Sequence, residues 1–165
     1  ERGWTNVDTK GVAWNKNFEQ WKFKDDAKDA DRGASFSASF AAWKGYDKEY
    51  GVKWVYDRVS NAYKRFNGGA PHMDLETKLQ LTAKTVVIIF AKELGPLDEH
   101  AHLYYENVGS GDGLLFIDGK NIKITWKKPT RQDRTRLYDA SGKEVSLNRG
   151  QIWIEMLPIG TPVTY

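Results

Sequence analysis

The chain predicts a mainly β fold, or a β-rich α+β one: an antiparallel curled sheet or small barrel built from hairpins, with one or two short helices at most. Three observations carry that reading. Apolar and polar residues alternate through several short segments, the period of a half-buried strand. Asp118-Gly119 stands between two apolar runs, the strongest two-residue hairpin signal. Aromatic residues make up 13% of the chain, and pleated strands with a packed face account for most of such a share.

Residues 1–33 differ from the rest. Trp4, Trp14, Phe18, Trp21 and Phe23 are scattered among charges with no sustained period, and the stretch ends in "KDDAKDADRGA". It reads as an extended arm or linker from a preceding domain that lays its aromatic side chains onto a neighbouring surface, with "DDAKDADR" as an exposed connection. Residues 34–165 read as the β-rich domain. "ASFSASF" places Phe36, Ala38 and Phe40 on one face, and "YGVKWVY" does the same with Val52, Trp54 and Tyr56. "NAYKRF" runs to the turn "NGG", and the β-branched "KTVVIIFA" is a buried strand. "HLYYENV" follows as another strand. "RTRLYDASGKEVSLNRGQIWIEML" holds two or three more, with a turn at Ser141-Gly142. Only "ASFAAWKGYDKEY" and "DLETKLQLTAK" offer short helical alternatives.

"NVGSGDGLLFIDGKNIKITW" first looks like a nucleotide-binding loop, through Gly109, Gly111 and Gly113. Phosphate cradles of that kind need a helix behind the glycines, whose N-terminus supplies amides and dipole. Here "LLFI" and a hairpin follow instead, and no Gly-Lys-Ser/Thr ending is present. The glycines are therefore read as turning the chain. Pairing Ile117 with Lys120 sets Leu115 opposite Ile122 and Gly113 opposite Ile124, which puts Leu115, Ile117, Ile122, Ile124 and Trp126 on one face.

A chain of 165 residues with 40% hydrophobic content can bury a core of its own. Its net charge of +3, from 25 basic and 22 acidic residues, does not point to nucleic acid as a partner. The basic residues are nonetheless concentrated. Lys120, Lys123, Lys127, Lys128, Arg131 and Arg134 are followed by Arg136, Lys143 and Arg149, against Asp133, Asp139 and Glu144. The stretch is a candidate polyanion patch, with a solvated strand face as the plainer reading. The absence of cysteine excludes disulfides, thiolate chemistry and Cys-ligated metal within the chain. No apolar run is long enough for a transmembrane helix. The chain begins at Glu1 without methionine, so the natural start and any targeting segment are expected upstream.

Catalytic constellations are scarce. Asp25-Asp26 and Asp98-Glu99 fall in apparent linkers, and no Gly-x-Ser-x-Gly elbow is present, so no catalytic residue is assigned. His100 and His102 have the spacing that puts two imidazoles on one strand face, and His72 and Asp74 repeat it. An exposed polar loop after Gly95-Pro96 explains the first pair equally well, and neither a metal nor a cofactor is assigned. "KRFNGGAPHMD" is the better candidate: Tyr63 and Arg65 share a strand face, and His72 and Asp74 follow the turn. These four form a candidate ligand or partner patch, with Arg65 addressing a carboxylate or phosphate. The structural alternative is an Arg65–Asp74 pair that fixes the turn. Trp54, Trp126 and Trp153 are expected in the core, and Trp4, Trp14 and Trp21 are freer.

"YGVKWVYD", "AYKRFNGGAPHMDLET", "TAKTVVII", "VGSGDGLLFIDGKNIKITWKK" and "SLNRGQIWIEMLP" occur in this order. Over residues 35–158 the chain thereby resembles the C-terminal domain of the YerB-like lipoproteins of Gram-positive bacteria, a domain of unknown function. That resemblance implies an extracytoplasmic protein, held to the membrane by a lipid on an N-terminal cysteine outside this chain. It also implies a preceding N-terminal domain of the same protein as a partner, beside an envelope protein or cell-wall component. Thr85 stands where the family usually has Asn, so any role of that Asn is not carried over. The function expected is a non-catalytic binding or interaction domain of the cell envelope. The alternatives are an enzyme-like domain acting on cell-wall material and a polyanion-binding β domain.

Overall fold

The computed structural model describes Gly11 and residues 19–34, 37–41 and 45–165, with only the backbone of Asp47. Trp4, Trp14, Phe18, Phe36 and Trp43 lie outside the described residues. In chain order the elements are β1 (Phe23–Lys24), a 3-10 turn (Asp29–Asp31), β2 (Ser37–Phe40), α1 (Asp47–Tyr50), β3 (Val52–Asp57), β4 (Ala62–Asn67), β5 (Ala70–Pro71), β6 (Thr82–Ala83) and β7 (Thr85–Leu94). There follow β8 (Tyr104–Glu106), β9 (Gly109–Ile117), β10 (Lys120–Lys128), β11 (Arg136–Tyr138), β12 (Leu147–Asn148) and β13 (Ile152–Pro158). The fold is β-rich, and its sheets stay open instead of closing into a barrel. A six-stranded sheet runs β11-β10-β9-β7-β13 with β8 added to β7, and a five-stranded sheet runs β2-β3-β4-β5 with β6 added to β4.

Strand parity divides the core in two. On β7, Val86 and Ile88 face the smaller sheet and pack with Trp54, Tyr63 and Phe116. Val87 and Ile89 face the other way, with Leu115, Ile117, Ile124 and Trp126. That second layer is covered by Leu137, Leu147 and Trp21. Both faces of β7 are thus buried, which is why "TVVIIF" is continuously apolar instead of alternating. Thr85 is fully buried, and its hydroxyl has no hydrogen-bond partner.

The hairpin register is the one the sequence predicts: Ile117 opposite Lys120, Leu115 opposite Ile122 and Gly113 opposite Ile124. Asp118 and Gly119 both take positive φ, at 51° and 70°. Three expectations need correction. The glycines at 109–113 do not turn the chain; they lie within β9 and the chain reverses only at Asp118-Gly119. Their smallness serves packing. A Cβ on Gly111 would sit 2.8 Å from Trp126 Nε1, where the indole crosses the strand to donate to Phe90 O at 3.1 Å. A Cβ on Gly113 would sit 2.5 Å from Ile88 O. Gly113→Ala should therefore destabilise the domain by about 1–3 kcal/mol through the forced backbone shift, as a lower urea midpoint would show. "DLETKLQLTAK" is not helical either: it forms a turn and then β6. Hairpins also do not account for all pairing, since β13 runs parallel to β7 and β1 parallel to β12.

Candidate functional site

The four patch residues are held by one hairpin and the loop behind it, but they do not meet at one point. Tyr63 and Arg65 share the inner face of β4, against the interlayer core. Tyr63 is fully buried, packs at a tilt against Tyr56 with 5.0 Å between ring centroids, and accepts a hydrogen bond from Gly119 N at 3.1 Å. Burial pushes its hydroxyl far above the ordinary tyrosine range. It is a packing residue, closed to a ligand.

Arg65 is the unusual one, a cation only 7% exposed. Its guanidinium lies over the Trp153 ring at 4.8 Å and near Trp54 at 5.8 Å, and the two indoles meet edge to face at 5.4 Å. The carboxylate beside it is Glu155, not Asp74. Glu155 Oε1 lies 3.5 Å from Arg65 Nε and accepts a hydrogen bond from Trp54 Nε1 at 3.1 Å. The ion contact is Coulombic, and Nε itself makes no hydrogen bond. Nη1 reaches Asn67 Oδ1 at 3.4 Å and donates to His72 Nδ1. Because arginine keeps its protons, the ring nitrogen it meets must be the acceptor, which leaves the His72 proton on Nε2.

His72 is brought there by backbone pairing: His72 N donates to Arg65 O at 2.9 Å and Leu81 N donates to His72 O at 2.8 Å. Asp74 lies farther along, half-buried, and caps its own turn. Its Oδ1 accepts from Thr77 N at 2.7 Å, Thr77 Oγ1 at 2.8 Å and Glu76 N at 3.1 Å, bonds that hold its carboxyl below the usual range. The structure therefore assembles Arg65 and His72 with Glu155, Trp54 and Trp153, and leaves Tyr63 and Asp74 apart. Glu155 was missed because it lies in a strand where alternation reads only as inward and outward.

The basic residues do not form one surface. Along β10, Lys123 and Lys127 point to one side and Lys120 and Lys128 to the other. Lys127 lies over Tyr138 at 5.1 Å, Lys128 donates to Asp133 O at 2.6 Å, and Arg134 stacks on Trp21 at 4.7 Å. Arg131 is exposed in the loop that follows β10. His100 and His102 stand in an exposed loop instead of on a strand, with His102 Nδ1 against Asp98 Oδ2 at 2.5 Å. Among the described residues no group of three or more His, Cys, Asp or Glu could hold a metal. No helix among them is long and apolar enough to cross a membrane.

A second polar cluster was invisible in the sequence. Asp118, 5% exposed, accepts from Asn148 Nδ2 at 2.6 Å and Asn61 Nδ2 at 2.8 Å through Oδ1, and from Lys24 Nζ at 2.5 Å through Oδ2. Asn148 Oδ1 takes a second bond from Lys24 at 2.6 Å, and Tyr56 donates to Asn61 Oδ1 at 2.7 Å. Burial alone would raise the Asp118 carboxyl, but the bonds from Lys24, Asn61 and Asn148 outweigh it and hold it at about 2. This cluster ties β1, the turn before β4 and β12 to the β9–β10 turn and is fully satisfied, so its role is structural.

Residues 42–154 match the C-terminal domain of a protein family of unknown function, DUF3048. Among solved structures the chain is similar to the crystal structure of the YerB protein from Bacillus subtilis, with a TM-score of 0.69 and 19% identity. The likeness covers 88% of this chain and 47% of that one, so the chain spans about half of the YerB chain, and at that identity the likeness speaks to the fold. No curated protein matches the chain.

Proposed function

The chain belongs to this YerB-like family, as its C-terminal domain, and we propose that it is a non-catalytic binding module of a lipid-anchored protein on the outer side of the Gram-positive cell membrane. The observation that carries the binding reading is Arg65. A guanidinium that is nine-tenths buried, lies over indole faces and has its one carboxylate 3.5 Å from an unbonded Nε is an incompletely compensated cation. Half-buried His72, with its proton on Nε2, stands at the same group. The pair suits an anionic group on a partner, a carboxylate or a phosphate, reached beside the β4–β5 hairpin. The extracytoplasmic, lipid-anchored setting and an envelope protein or cell-wall component as partner rest on the family resemblance.

The test uses the full-length lipoprotein on its native membrane, crosslinked, captured and identified by mass spectrometry for both proteins and glycan fragments. A reproducible envelope protein is expected. Arg65→Lys, which keeps charge but loses the planar fork, and His72→Ala should each weaken its capture by roughly thirtyfold, the effect of a hot-spot residue. Melting midpoints of both variants serve as the folding control. Capture that ignores both substitutions would remove the reading; glycan or peptide fragments without a protein partner would favour the cell-wall enzyme instead.

A further inference from the structure

Sheet edges expose unpaired N–H and C=O groups, and proteins blunt them with short strands, charges, proline or covering segments. In this fold the edges at β11, β2 and β5 are treated so. β11 is three residues long and begins with Arg136, itself ion-paired to Glu144 at 2.8 Å and Glu19 at 2.6 Å. β2 is covered by Thr164, which exchanges bonds with Ser39 at 2.8 and 2.9 Å. β5 is two residues long and ends in Pro71. β13 is the exception: seven residues, at the end of the six-stranded sheet, with no described strand on its outer side. Its one charge, Glu155, turns inward to Trp54 and Arg65 and guards nothing. Ile154 remains 43% exposed between half-buried Ile152 and Met156.

The backbone parity of β13 is fixed by its neighbours. Gln151 O accepts from Lys84 N, and Ile159 N donates to Ala91 O, so odd-numbered residues direct their groups toward β7. Ile152, Ile154 and Met156 therefore direct theirs outward, and Pro158, which has no N–H to lose, falls on the same outward set.

We propose that two copies of this chain pair antiparallel through β13, about a two-fold axis at Ile154. That register places Ile154 opposite itself and Ile152 opposite Met156, and every outward N–H and C=O of these three residues finds a partner, each as a hydrogen-bonded pair. Trp153 falls opposite Glu155, so no like charges face one another. The contact is isologous and closes at two copies. A single strand pair buries little area, so association in the micromolar range is expected.

The chain has no cysteine, so one introduced thiol reports alone. Facing residues of a hydrogen-bonded pair have Cα atoms about 5.5 Å apart, within disulfide range. Mild oxidation of Ile154→Cys in the full chain should give a dimer on a non-reducing gel, whereas Val59→Cys, at an exposed turn, should not. In sedimentation the unmodified chain should approach twice its 18.9 kDa at micromolar concentration. Ile154→Lys should remain monomeric with an unchanged melting midpoint. A monomeric wild type, a dimer that survives Ile154→Lys, an Ile154→Cys chain that forms no disulfide, or a monomer that instead accepts a strand from another protein would each overturn the proposal.

Discussion

Replacing Asp118 by alanine should cost the domain about 3–5 kcal/mol, because it leaves the fully buried amides of Asn61 and Asn148 without their acceptor and part-exposed Lys24 without its counter-ion. Lys24 Nζ would keep only Asn148 Oδ1 and the Asp25 carbonyl, and the amides of Asn61 and Asn148 would point at a void. A chain of this size shifts its melting midpoint by about 2–4 °C per kcal/mol, so a fall of roughly 10 °C should be visible in a thermal scan. Asp118→Asn tests the charge alone. It keeps the shape but turns one acceptor oxygen into a donor facing donors, and should lose much of the same stability.

The pH dependence follows with its sign. In the unfolded chain an aspartate titrates near 3.9, and here Asp118 is held at about 2. A depressed carboxyl contributes stability that is fully present above the unfolded value and is lost as pH falls from about 4 toward about 2. Urea midpoints measured across that window should drop for the wild type and stay flatter for Asp118→Asn. Equal slopes would mean that the acid sensitivity arises elsewhere.

Most of the fold was legible because its signals are local. Alternation at Val52, Trp54 and Tyr56 marks a strand regardless of its neighbours, and all three are buried. The Asp-Gly turn determines its own register. What the sequence hid is what distant segments decide. Asp118 reads as a turn residue, yet its carboxylate joins β1, the turn before β4 and β12. Glu155 and Arg65 are far apart in the chain and meet only because β13 lies parallel to β7, a pairing no hairpin signal announces. The glycines of β9 signal freedom to turn when read locally. Only the Trp126 indole and the β7 carbonyls passing over them show that they clear space.

The arm supplies the second large effect: a chain beginning at residue 34 should lose its cooperative melting transition, or melt more than about 10 °C below the full chain. Residues 19–33, which read as an arm or linker laying aromatic side chains on a neighbouring surface, lie against this domain. Phe23 and Lys24 pair in parallel with Leu147 and Asn148, and Leu147 N donates to Lys22 O at 2.9 Å. Trp21 packs on the second core layer and donates to Thr135 O at 2.7 Å. Arg58 Nη1 donates to Arg32 O at 2.8 Å and Gly33 O at 2.9 Å, while Arg32 Nη1 returns a bond to Arg58 O at 2.8 Å. Gly33 N donates to Asp118 O at 2.8 Å, so close to the hairpin that a Cβ there would overlap Gly119 O. The exposed ion pairs of the arm, Arg149–Asp25 among them, add little individually. The loss comes from two buried events: Lys24 leaves Asp118 uncompensated, and Trp21 uncovers Leu147 and its neighbours. Lys24→Met separates them, since it removes the cation and keeps the indole, and should account for about half of the loss. Synthetic peptide 19–33 added to the shortened chain should restore part of the transition. An unchanged midpoint on deletion would make the arm the passive linker that its charges suggest.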